Sequence, residues 1–112
     1  MEQGEIYMAD LSAGKRPVII LSRNELNRGN AVLVVPITST RFLIRSKLPN
    51  CVAFRAGEFG LIHDCAAQCE QAAAIETSLI DTSACIGRLT EDVMRDVIRA
   101  VGYVMDAECE PS

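Results

Sequence analysis

Arg16-Pro17-Val18-Ile19-Ile20-Leu21-Ser22 and, after the polar cluster Asn27-Arg28-Gly29-Asn30, Ala31-Val32-Leu33-Val34-Val35-Pro36-Ile37 are the stretches that decide the fold. Each is a short, β-branched run bounded by turn-forming residues, the pattern of a buried strand. Pro17 suits a strand opening, and Pro36, which lacks an N–H, marks a bulge or an edge. The two runs are expected to pair, because only a short turn cluster separates them.

Working outward, Gly4 to Leu11 alternates loosely through Ile6, Tyr7 and Met8 and reads as a strand, with Ser12-Ala13-Gly14 as the turn after it. Downstream, Cys51 to Phe54 reads as a short strand and Ala56 to Gly60 as a turn. Cys65 to Ile75 reads as an extended segment, although its alanines leave a helix as a competitor. Thr90 can cap a helix whose first turn carries Glu91 and Asp92, the charges that the positive end of a helix dipole favours. Val93, Met94, Val97, Ile98, Val101, Val104 and Met105 then recur near the 3.6-residue period of an amphipathic helix. Residues 106–112 are expected to fray as an acidic tail. Strands precede the final helix, so the fold class is α+β and mainly β: a small barrel or strongly bent sheet with a C-terminal amphipathic helix. At 112 residues the chain suits one domain, 1–112, with one modest core.

The charge is unevenly spread. The net charge is −4, yet from Lys15 to Arg55 eight lysines and arginines face the single acid Glu25, while from Leu61 onward ten acids face Arg88, Arg95 and Arg99. A one-signed stretch of this kind can supply a local nucleic-acid surface inside an acidic protein, since the field at a cleft depends on the nearby charges. The opening residues carry Glu2, Glu5 and Asp10 instead of a basic region followed by an apolar run, and no stretch approaches a membrane helix in length. A cytoplasmic location is therefore expected, with no membrane partner. Cys51, Cys65, Cys69, Cys85 and Cys109 are odd in number and lack CxxC spacing, which fits a reducing compartment with most of them as small buried hydrophobes. His63 with Cys65 and Cys69 is no zinc spacing and lacks a fourth ligand, so neither metal nor cofactor is expected.

Seven blocks carry a resemblance. They are Gly4-Glu5-Ile6-Tyr7 with Asp10-Leu11, the run Arg16 to Ser22, Pro36-Ile37-Thr38-Ser39-Thr40, Leu48-Pro49, Asp64, Glu70-Gln71, and Ile86-Gly87-Arg88-Leu89-Thr90. In this order and spacing they resemble the MazF/PemK family of type II toxin–antitoxin toxins over nearly the whole chain. The resemblance implies an SH3-like barrel of the CcdB/PemK kind, a homodimer, a MazE-like antitoxin as partner, and metal-independent, sequence-specific cleavage of single-stranded RNA. Matched residue by residue, it implies Arg16 and Thr38 as the catalytic pair. It also places Ser39, Thr40 and Gln71 near the substrate groove, with Asp64 on another retained polar position. Lys15 and His63 join these as candidates for RNA contact. Arginine can clamp a phosphate through two parallel hydrogen bonds, and threonine can orient a phosphate or a hydroxyl. His63, the only histidine, belongs to the residue type suited to moving protons near neutral pH.

Two positions depart from the family pattern. The loop between Leu11 and Arg16 is short, lacking a Gly-x-Glu-Gln segment, and Gln71 precedes Ala72-Ala73-Ala74 where the family carries an arginine at the position of Ala73. Lys15 stands where it could partly replace the lost loop contacts. These departures keep a second expectation open: a non-catalytic binding toxin, as in the gyrase-inhibiting CcdB branch, or a homologue that only binds RNA or an antitoxin.

Overall fold

The computed structural model describes residues 1–12 and 14–106. The chain runs β1 (Glu5–Leu11), β2 (Gly14–Ile20), β3 (Ala31–Thr38), α1 (Phe42–Arg45), β4 (Cys51–Phe54), β5 (Cys65–Gln68), β6 (Ala73–Glu76), β7 (Gly87–Arg88) and α2 (Glu91–Val104). The fraying expected of 106–112 falls, from Ala107 onward, outside the described residues.

The two β-branched runs become β2 and β3 and pair antiparallel, with Val18 opposite Pro36 and Ile20 opposite Val34. β2 begins earlier than Pro17, because Lys15 and Arg16 pair with Asp10 and Ala9 of β1. The sheet order is β4-β5-β3-β2-β1-β7, and β6 pairs with β3 as well. Just beyond β6, Ile80 bridges to Ala9 on the outer edge of β1, so β1, β2, β3 and β6 curl towards a closed ring. The mainly β architecture with a C-terminal helix is thus as expected.

Both faces of the central strands are covered, which explains why their sequences are apolar without interruption. Tyr7, Ala9, Val18, Ile20, Val32, Val34 and Ile80 form the core inside the curl. Their sequence neighbours Ile6, Ile19, Val35 and Ile37 point the other way, against Phe54, Met94, Val97 and Ala100. α2 lies over this second face. Thr90 caps it by accepting the Val93 N–H at 3.4 Å, and Met94, Val97 and Ala100 form its buried stripe.

Pro36 lies neither at a bulge nor on an edge strand. On one side it sits in the β2–β3 ladder. On the other it occupies the seam where β3 exchanges partners, from β6, whose last pair is Val34 with Ala73, to β5, whose first pair is Ile37 with Ala67. A residue without an N–H leaves no orphan donor at such a seam. The extended reading of Cys65 to Ile75 holds for its two ends, but the 3₁₀ turn Cys69–Gln71 divides it into β5 and β6. The loop before β7 packs by backbone contact. A Cβ on Gly87 would lie 1.8 Å from the Phe59 carbonyl oxygen, and one on Gly60 would lie 2.1 Å from that of Ile86. Among the described residues no helix is long and apolar enough to cross a membrane.

Candidate functional site

The β2–β3 ladder ends at Val18–Pro36. Continued by two residues, its register would set Arg16 opposite Thr38, on the face that carries Val18 and Ile20. The strands separate there instead: Arg16 pairs with Ala9 of β1, and Thr38 with Ala66 of β5. The parting opens a cleft of about 360 Å³, lined by Lys15, Arg16, Thr38, Ser39, Thr40 and His63 above an apolar floor that includes Ile37 and Leu61. Six of the eight residues singled out from the sequence are therefore brought together.

Thr38 is buried, and its Oγ1 accepts the Thr40 N–H at 3.2 Å, turning the chain at the strand end. Among the described residues its hydroxyl donates to no protein group, which leaves that proton free to point at a ligand. Arg16 is half-buried, and among the described residues its guanidinium forms no ion pair or hydrogen bond. Its five side-chain donors are free of protein partners among the described residues. A brace holds the far wall. Arg45 Nε donates to the Thr40 carbonyl at 2.9 Å, and Arg45 Nη1 lies 3.9 Å from Glu70, which in turn accepts from Asn50 Nδ2 at 2.9 Å.

Arg16 also lines a second cavity of about 510 Å³, together with Asp10, Arg45, Gln68, Gln71 and Ala73. This one arises at the β5/β6 seam, with Val34 and Pro36 as its floor. Gln71, on the 3₁₀ turn that follows β5, thus shares the second cavity with Arg16. Asp64 lines neither. Its Oδ1 accepts the Ala56 N–H at 2.8 Å and its Oδ2 lies 3.5 Å from Arg55 Nη1, pinning the loop between β4 and β5. Two side chains that sequence reasoning did not single out, Arg45 and Gln68, enter the second cavity. Gln68 gave no signal within the apolar run Cys65-Ala66-Ala67, and Arg45 was one of several cations in a basic stretch.

The departures from the family pattern acquire a spatial meaning. Leu11 pairs with Gly14, which adopts a φ of +112°, so the β1–β2 connection is a tight hairpin and Ser12 reaches only the rim of the second cavity. Ala73 shares that cavity with Arg45, so the space left by the small side chain is served by a cation from another element. Cys65 and Cys69 are buried structural thiols. Burial pushes Cys65 up to about 11, with Asp64 and Glu58 adding to it, and pushes Cys69 up to about 12, with Cys51 and Glu70 adding. Neutral thiols of this kind are poor metal ligands and poor nucleophiles.

The sequence model of PemK-like, MazF-like toxins of type II toxin–antitoxin systems matches residues 2–105. No curated protein matches the chain by sequence. Several solved structures share its fold. The Mycobacterium tuberculosis toxin MazF-mt6 is 26% identical with a TM-score of 0.78, over 91% of this chain and 96% of its own. An endoribonuclease in complex with its cognate antitoxin, from a mycobacterial species, is 21% identical with a TM-score of 0.78, over 95% of each chain. MazF in a MazE–MazF complex from Deinococcus radiodurans is 16% identical with a TM-score of 0.73, over 94% of each.

Proposed function

The chain belongs to the PemK-like, MazF-like family of type II toxins, and on that premise we propose that it is a metal-independent endoribonuclease that cuts single-stranded RNA in the cleft between Arg16 and Thr38. The observation that carries this reading is the parted β2–β3 ladder, which presents a half-buried arginine with free donors and a buried threonine hydroxyl to one cavity.

The chemistry needs little more. The substrate's 2′-oxygen bonds to the adjacent phosphorus, and the bond to the next nucleotide's 5′-oxygen breaks. The products are a 2′,3′-cyclic phosphate and a 5′-hydroxyl. The nucleophile is the RNA's own, so no activated water is required, and DNA, which lacks it, is spared. Arg16 donates two parallel hydrogen bonds to the non-bridging oxygens, where charge grows in the transition state. Thr38 orients the phosphate or the 2′-hydroxyl, and His63, in the same cleft, moves a proton between the attacking and leaving oxygens. Lys15, Ser39 and Thr40 hold the strand, and Gln71 contacts it on the far side of Arg16.

A homodimer and an antitoxin complete the proposal. Leu26, Leu33 and Ile98 are exposed along a groove of about 810 Å³ between the β2–β3 connection and α2, an apolar surface suited to a two-fold contact. A disordered acidic antitoxin segment folding onto the RNA cleft would compete for Arg16 and Lys15.

Incubation with a long single-stranded RNA in EDTA tests the nuclease. Wild type should release fragments ending in a 2′,3′-cyclic phosphate, and Arg16→Ala should lower the rate by about 10²–10³-fold, as loss of a transition-state donor does. RNA left intact by the wild type, or cut equally well without Arg16, would overturn the assignment.

A further inference from the structure

Gln68 is the most unusual polar side chain near the cleft. It is 8% exposed, at the end of β5, with Cys51 opposite on one side and the Pro36 seam on the other. Its carboxamide makes no hydrogen bond among the described residues, yet no sealed side-chain polar atom there lacks a partner. Both conditions hold only if the amide opens into the second cavity, which Gln68 lines. An amide that opens into the cavity with no protein partner is bonded only by water, and a ligand with matching groups replaces that water without breaking any protein hydrogen bond.

We propose that this cavity is a nucleotide subsite in which Gln68 reads the base edge and Arg45 supplies the charge that draws the backbone in. The inference rests on the reading of the Arg16 cleft as an RNA site. Arg16 lines both cavities, so a phosphate held by it places the flanking nucleotide beside Gln68. A carboxamide presents a donor next to an acceptor, the complement of an exocyclic amine beside a ring-nitrogen acceptor. Adenine and cytosine offer that pair on their Watson–Crick edges, and the unstacked bases of single-stranded RNA expose it. Pro36 contributes an apolar floor for the ring, and Ala73 leaves the room that a larger side chain would fill.

Two readouts on wild type, Gln68→Ala, Gln68→Met and Arg45→Met test this. Gln68→Met keeps the side chain's length if the alanine variant fails to unfold cooperatively. In the first, a randomised RNA is cleaved and the fragment ends are sequenced. Wild type should prefer adenine or cytosine over the other bases at one position next to the cut by about 10-fold or more, and both Gln68 variants should flatten that preference to within about 2-fold while leaving the other positions unchanged. Arg45→Met should weaken binding of all sequences alike and lower the salt dependence by about one counterion, with the base preference kept. In the second, short 2′-deoxy oligonucleotides that differ at one base are bound but cannot be cut. Cleavage with unaltered base preference in the Gln68 variants would overturn the subsite alone. No cleavage, but a base-dependent affinity that the variants lose, would keep the subsite and sink the nuclease. Base-independent binding without cleavage would overturn both.

Discussion

The two faces of the central sheet are built from alternate residues of the same strands, yet one is closed and the other is open at its end. On the helix side, Ile6, Ile19 and Val35 pack under α2 and Phe54, and only the strand-end Ile37 reaches the floor of the Arg16 cleft. On the inner side, Val18, Ile20, Val32 and Val34 are enclosed only as far as the ladder runs, and the next residues in the same rows are Arg16, Pro36 and Thr38. The closed face is where packing sets stability. The open end carries polar groups that a sealed core would not tolerate unpaired. Chemistry here is placed where one face of a rigid sheet runs out of partners.

The sharpest way to break this contrast is Gly87→Ala. The added methyl would meet the Phe59 carbonyl oxygen at 1.8 Å, a backbone collision that no side-chain rotation relieves. The loss should exceed the ~1–3 kcal/mol of ordinary overpacking and abolish a cooperative melt, and a normal melting curve would refute the tight contact. Phe54→Ala, also on the closed face, should cost about 3–5 kcal/mol in urea unfolding, and RNA cleavage by the folded fraction should persist. Thr38→Val does the reverse at the open end. It should slow cleavage by about 10²-fold while shifting the unfolding free energy by only about 1 kcal/mol, since among the described residues the hydroxyl's one protein bond is to the Thr40 N–H.

The smallest effect is alkaline. Cys65 and Cys69 are held above the ordinary thiol value of 9.0, so the folded state keeps them neutral while the unfolded chain ionises them. Their stabilising effect is complete below that value and is lost as pH rises towards 11. The urea midpoint should therefore fall over this window, and Cys69→Ala should flatten the slope. A midpoint that stays level from pH 8 to 11 would mean that these thiols ionise without unfolding.

The strands that carry both cores were legible because both faces are apolar, and α2 because its cap and period agree. What stayed hidden depends on partners distant in sequence. β7 is only Gly87–Arg88 and is a strand solely because Glu5 and Ile6 pair with it. α1 is four residues long and enters from Arg41 at a φ of +55°, a conformation that no local propensity marks. The division at Cys69–Gln71 follows from β3 exchanging neighbours. For the site, the family blocks pointed to Arg16 and Thr38, but neither the second cavity nor the roles of Gln68 and Arg45 in its lining can be read from spacing. Both depend on where the ladders end.

The pairing of Glu5 with Arg88, together with the Ala9–Ile80 bridge, also bears on when the molecule can first exist. During synthesis the opening strand emerges early, but its outer edge must wait for some of the last residues of the sheet, and α2 later still. Contacts this distant along the chain make folding slow and late. The sheet that carries the cleft is therefore complete only after residues 80–88 have emerged, long after Arg16 and Thr38 themselves.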